Sequence, residues 1–226
     1  MIGVRVLAIS IPWALLSAHS LCAGDLSRYR EFQLGMNLPA VVKLAGMSSS
    51  GASVIHQRPE LIQELAWQPG RSPGSSPDAD PVERILFSFY NGELFRMVVT
   101  YDRYKTEGLT AEDMVEAISA NYGTATRPAA EIIFPSIYHE SVKVIARWED
   151  SRYSFNLVRS SYQPSFGMVV MSQRLDALAQ AAILEAIRLD KLEAPQREAE
   201  LQRKQAEENR VQQEKARLVN KPIFRP

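Results

Sequence analysis

Asn91-Gly92 lies between two runs rich in β-branched and aromatic residues, 85–90 and 93–101, and this dipeptide constrains the fold more tightly than any other feature of the chain. Asn-Gly supplies the two positive-φ residues that a two-residue hairpin turn needs, so the flanks pair antiparallel. In that register Tyr90 faces Glu93 and Phe89 faces Leu94. Strict alternation then puts Ile85, Phe87, Phe89, Leu94 and Val98 on one face, and Leu86, Tyr90, Phe95, Met97, Val99 and Tyr101 on the other. A face that met water would be polar, and neither is. The hairpin therefore asks for a covering layer on each side.

Local signals place the remaining elements. A short helical start near residues 25–30 precedes Gly35-Met36-Asn37, which opens a helix with Leu38, Val41, Val42 and Leu44 along one side and Gly46 at its end. Residues 61–67 read as a strand. Pro69, Pro73, Pro77 and Pro81, interspersed with Gly70, Gly74 and Ser72, Ser75 and Ser76, then leave neither helix nor ladder a place to form, which predicts a strand-to-strand connection. Thr110-Ala111-Glu112-Asp113 has the spacing of a capping box, and Met114, Val115, Ile118 and Tyr122 form the stripe of a helix that stops at Gly123. Strands follow at 142–148, 152–160 and 167–172, with turns at Asp150-Ser151 and Gln163-Pro164.

The two halves have one order: a helix ending in glycine, a gap, a strand ending in tryptophan, then two further strands. Gly46 corresponds to Gly123 and Trp67 to Trp148. The expected fold is α+β, with two small helix-plus-antiparallel-sheet units at residues 24–108 and 109–174. As a tandem duplication, they would have sheets able to cover one another's free faces. Leu175, Leu178, Ala182, Ile183, Ala186 and Leu189 give residues 175–194 the stripe of a docked helix, and Pro195 kinks or restarts it. Residues 195–226 read as a polar helical tail. Its larger apolar residues, Leu201, Val211 and Leu218, hold no heptad seam.

Residues 1–23 have the zones of a secretory signal: Arg5, an apolar stretch at 6–16, and a short-residue end at Ser20-Leu21-Cys22-Ala23. The apolar stretch is well short of the ~20 residues of a membrane-crossing helix, and no later segment approaches that length. The expected location is periplasmic or secreted. Removal at Gly24 takes away the single cysteine, and with it any disulfide, thiolate or Cys-ligated metal. His19 and Leu21 ahead of Cys22 do not fit a lipoprotein processing signal. The 26 Lys and Arg balance 26 Asp and Glu, which removes the cationic field that nucleic-acid binding needs.

Few residues point to chemistry. Beyond the signal the histidines are His56 and His139, neither with a partner at helical ligand spacing. His139-Glu140 is too short a match to define a site. Asp102, Glu107, Glu112 and Asp113 could flank a cleft as paired carboxylates, but Glu112 and Asp113 also suit the first turn of a helix. Trp67, Trp148, Tyr101 and Tyr104 could line a groove or pack in the core. No catalytic, cofactor-binding or metal-ligating residue is assigned, and no cofactor is expected.

Phe32-Gln33-Leu34-Gly35-Met36, followed by Val41, Leu44, Gly46, a Trp-bearing strand and Phe89-Tyr90-Asn91-Gly92-Glu93-Leu94, resembles the small lipoproteins of the outer-membrane β-barrel assembly machinery. Their fold is similar to each repeat of the secreted β-lactamase inhibitor proteins, which are tandem duplications. The resemblance covers residues 32–101 and implies a non-enzymatic exported binding protein of α+β class. The chain departs from the lipoproteins in lacking the lipidation signal, and from both groups in its Pro-rich loop and C-terminal helix. No partner-binding residue carries over. The expected function is an interaction or scaffold protein of the cell envelope whose partner is another envelope protein. The alternative is a secreted hydrolase with carboxylates scattered in sequence.

Overall fold

The computed structural model of the chain describes residues 24–47, 51–69, 80–134, 141–159, 165–223 and 225. Residues 1–23, where the signal segment is expected, most of the Pro-rich loop, His139-Glu140 and the expected Gln163-Pro164 turn lie outside the described residues. Around the Asn-Gly turn, β5 (Val82–Tyr90) and β6 (Glu93–Tyr101) form the expected hairpin, with Tyr90 opposite Glu93 and Phe89 opposite Leu94. Asn91 and Gly92 have φ of 50° and 83°. A β-branched side chain resists that region, so Gly92→Val is expected to cost about 1–3 kcal/mol. A melting temperature unchanged from the parent protein in a thermal scan would refute the strain.

Beyond the turn the faces depart from strict alternation. Ser88 pairs with Arg96 while Phe89 pairs with Leu94, so Phe95 is the extra residue of a β-bulge. One inserted residue flips every side chain that follows it. Met97, Val99 and Tyr101 therefore join Ile85, Phe87, Phe89 and Leu94 in the main core, whereas Phe95 and Val98 point the other way. The expected faces of Met97, Val98, Val99 and Tyr101 are corrected by that single residue.

The hairpin belongs to an eight-stranded antiparallel sheet in the order β3-β4-β5-β6-β10-β9-β8-β7. Its other strands are β3 (Ala52–His56), β4 (Ile62–Trp67), β7 (Glu131–Ile133), β8 (Ser141–Glu149), β9 (Tyr153–Arg159) and β10 (Phe166–Ser172). The order is two four-strand meanders, each preceded by a helix, α1 (Leu38–Leu44) and α2 (Ala111–Tyr122). Trp67 and Trp148 stand on the second strand of each meander.

The meanders join edge to edge through β6 and β10, with Met168 opposite Val99 and Val170 opposite Met97. They do not cover one another's faces, which corrects that expectation. Each meander alone would leave the amides and carbonyls of its last strand unpaired, and joining two such edges satisfies both. Gly167 permits the approach, since a Cβ there would lie 2.9 Å from the Val99 carbonyl oxygen.

Each apolar face has its layer. On one side lie α1, α2 and a small N-terminal hairpin, β1 (Arg28–Tyr29) with β2 (Phe32–Gln33). Asn37 caps α1 by accepting the Ala40 amide at 3.0 Å. Thr110 and Asp113 complete the capping box of α2. The small hairpin replaces the helix expected near residues 25–30. Asp25 accepts the Ser27 amide at 2.9 Å in a local turn, and extended backbone then buries Tyr29 and Phe32 in the core.

The other face carries α3 (Gln173–Asn220), a single helix of 48 residues, about 72 Å long. Leu175, Ala179, Ala182, Ile183 and Ala186 are buried. Leu178, expected in that stripe, is 43% exposed, because the buried face runs through Leu175, Ala179, Ala182, Ile183 and Ala186 instead. Pro195 lies inside α3, so there is no restart between residues 194 and 195. Proline leaves the Lys191 carbonyl without its helical donor, but both residues are exposed, so the carbonyl is accessible to solvent. From Ala194 onward every described residue is exposed, so about 40 Å of helix projects beyond the body.

Candidate functional site

The bulge that turns Phe95 also sets the chemistry of the α3 face. It places consecutive residues Phe95 and Arg96 on one side, where Phe95 packs against Leu175, Ala179 and Ile183. The Arg96 Nε donates to Asp176 Oδ1 on α3 at 2.7 Å, and a second guanidinium nitrogen reaches the same oxygen. These side chains are 7% and 15% exposed, so the pair is largely withdrawn from water. The Arg96 guanidinium also lies 5.6 Å from the Phe95 ring centre and 5.3 Å from that of Phe134.

Because α3 packs on β6 and β10, the flank of the sheet toward β3 stays open. The opening is a groove of about 280 Å³ with Ile55, Ile62, Leu86, Phe95, Val98 and Phe134 as its apolar walls. Glu64, Arg84, Ser88 and Arg96 supply its polar groups. Burial pushes the Glu64 carboxyl above its ordinary value, while the Ser88 hydroxyl, donating at 3.4 Å, and the charge of Arg96 pull it back. Val54 and Ile55 of the edge strand β3 are 47% and 45% exposed, so the apolar surface continues from groove to sheet edge.

The residues singled out from sequence lie elsewhere. His56 is half-buried at the end of β3 and does not line the groove. Asp102 accepts the Tyr104 amide at 2.8 Å, Glu112 pairs with Arg127 at 3.2 Å, Asp113 closes the capping box, and Glu107 is exposed. None of these four carboxylates borders the groove. Trp67 packs against Phe32 and Phe87 in the core. Trp148 is 2% exposed and donates from its indole nitrogen to the Gly123 carbonyl at 2.9 Å, tying β8 to the end of α2. Tyr101 is buried with its hydroxyl 3.5 Å from that of Tyr29, and Tyr104 is 72% exposed, so the four aromatics form no common surface.

Sequence reasoning missed Glu64, Arg96 and Asp176. Arg96 carried the signal: strict alternation would put its guanidinium among Leu94, Phe87 and Phe89, which a charged group does not tolerate. Among the described residues no group of three or more His, Cys, Asp or Glu is placed to hold a metal ion, and no helix is long and apolar enough to cross a membrane.

The chain matches no known family and no curated protein in sequence. Among solved structures it is similar to a cysteine-rich secretory protein from Staphylococcus aureus, with 7% identity and a TM-score of 0.31. The match covers 63% of this chain and 44% of that one, so this chain spans less than half the length of that protein. A likeness at this level carries no argument about function.

Proposed function

We propose that the chain is an exported, non-enzymatic interaction or scaffold protein of the cell envelope, directed there by residues 1–23 and acting on another envelope protein. The groove beside α3 carries this reading. It combines apolar walls with a half-buried carboxylate, Glu64, which accepts a hydrogen bond from Ser88. It also opens toward β3, the edge strand of the sheet among the described residues, which bears exposed Val54 and Ile55. That combination suits a partner segment with apolar side chains and one cation, the cation meeting Glu64. The resemblance over residues 32–101 to outer-membrane assembly lipoproteins belongs to the same proposal, supported by the helix, Trp-bearing strand and Asn-Gly hairpin in that order.

The rival reading, a secreted hydrolase, draws on the raised carboxyl of Glu64. Carboxylate-based hydrolysis commonly works with a pair, as in glycosidases, and among the described residues that line the groove Glu64 is the one acidic residue.

A photo-crosslinking residue placed at Leu86 or Val98 in the exported full chain tests the interaction reading. The expected result is one adduct of discrete mass from groove positions, lost on Glu64→Lys, with none from Glu116 on α2. Equal adducts from Glu116, or none from the groove, would overturn it. Hydrolysis abolished by Glu64→Gln would favour the rival.

A further inference from the structure

We infer that the N-terminal end of α3 is a binding site for a phosphate group carried on a small soluble ester. The site is a cleft of about 370 Å³, separate from the groove, where the β8–β9 turn meets the first turn of α3. Ser172 is the N-cap residue of this 48-residue helix, yet its hydroxyl caps no helix amide. Ser172 is 8% exposed and lines the cleft. No hydrogen bond engages its hydroxyl, and among the described residues no fully enclosed side-chain polar atom lacks a partner, so the hydroxyl opens into the cleft. A serine in this position usually satisfies a first-turn amide; here hydroxyl and amide are both left available.

Charge follows the same direction. A helix N-terminus concentrates partial positive charge on its free amides, and the Gln173 amide is taken by the Arg152 carbonyl at 2.9 Å, leaving the next turn to a ligand. Arg152 and Arg174 both line the cleft and neither forms an ion pair among the described residues, although Glu93 lines it as well. The Arg152 guanidinium rests over the Tyr153 ring at 5.2 Å; hydrogen bonds from Ser27 hold the nearby Asp25 carboxyl below its ordinary value, and the charge of Arg152 adds only a little to that. Asp176, the acidic residue in the first turn of α3, is turned away and held by Arg96.

A hydroxyl, free first-turn amides and two guanidinium forks offer more donors than a carboxylate's two oxygens can accept, and two guanidinium groups against the single Glu93 carboxylate leave the cleft net cationic. The volume exceeds the needs of a bare oxyanion, and Leu34 and Leu175 on the walls provide contact for a small organic substituent.

Titration of the full-length exported protein with inorganic phosphate, glycerol 3-phosphate and acetate, followed by calorimetry and by amide NMR shifts of Arg174 and Leu175, tests the site. Saturable binding of both phosphate probes is expected, glycerol 3-phosphate the tighter and acetate at least about tenfold weaker. Arg174→Gln should weaken phosphate binding about tenfold or more, and Ser172→Ala about threefold, with the ligand-free melting temperature unchanged because the hydroxyl bonds nothing. Absence of saturation, acetate binding as tightly as phosphate, or full affinity in both variants would each overturn the assignment.

Discussion

Replacing Asp176 with alanine is expected to destabilise the protein by about 3–5 kcal/mol, or roughly 6–20 °C in melting temperature for a chain of this size. The size of the loss comes from what remains. Arg96 sits on a central strand with a side chain 7% exposed, and its charge would be stranded against Phe95 and Phe134. Mutual attraction within a buried pair roughly offsets the cost of desolvating both members, so removing one member exposes the full cost for the other. The pair is therefore weak evidence for stability and strong evidence for registry: it fixes where α3 lies on the sheet. Joint replacement, Arg96→Met with Asp176→Leu, is expected to recover most of the single-variant loss in a denaturant titration. A single variant that loses less than about 1 kcal/mol would mean that water reaches Arg96.

That pair also marks where the sequence stopped being legible. Turn chemistry was readable because it is local. Asn91-Gly92 fixed a register, Thr110 with Asp113 a helix start, and the paired Trp67 and Trp148 a repeated order of elements. The bulge at Phe95 was not, because an extra residue is paid for by packing on both faces at once and leaves no turn residue behind. Arg96 was its trace. The edge-to-edge seam depends on Gly167 meeting the Val99 carbonyl, a contact between distant segments that no window of sequence contains. The groove followed from both, since its floor is the face the bulge created and its wall is the helix that Arg96 anchors. Pro195 did not restart the helix for the opposite reason: a strong local signal met a carbonyl that faces solvent.

Ending the chain at Arg174 is expected to abolish cooperative unfolding, whereas deleting residues 196–226 should move the melting temperature by no more than a few degrees. The contrast lies in what each cut uncovers. The first removes Leu175 and Ile183, each contributing about 1.5–3 kcal/mol through burial, exposes Ile62 and Phe95 on the sheet, and strands Arg96 at a further cost of about 3–5 kcal/mol. Together these approach the 5–15 kcal/mol that holds a domain folded. The second cut removes helix that is exposed throughout, held by pairs such as Arg210 with Glu207 and Arg217 with Glu214 at 2.7 Å. Such surface pairs support the helix locally and add little to the body, so the cost is about 1 kcal/mol or less. Among the described residues the last ion pair between α3 and the body is that of Arg58 with Glu193, which lies ahead of the second cut and survives it. Calorimetry of both truncations separates the cases. A large drop on removing residues 196–226 would make the projecting helix a structural element, and an intact transition in the chain ending at Arg174 would mean that the sheet folds without its second layer.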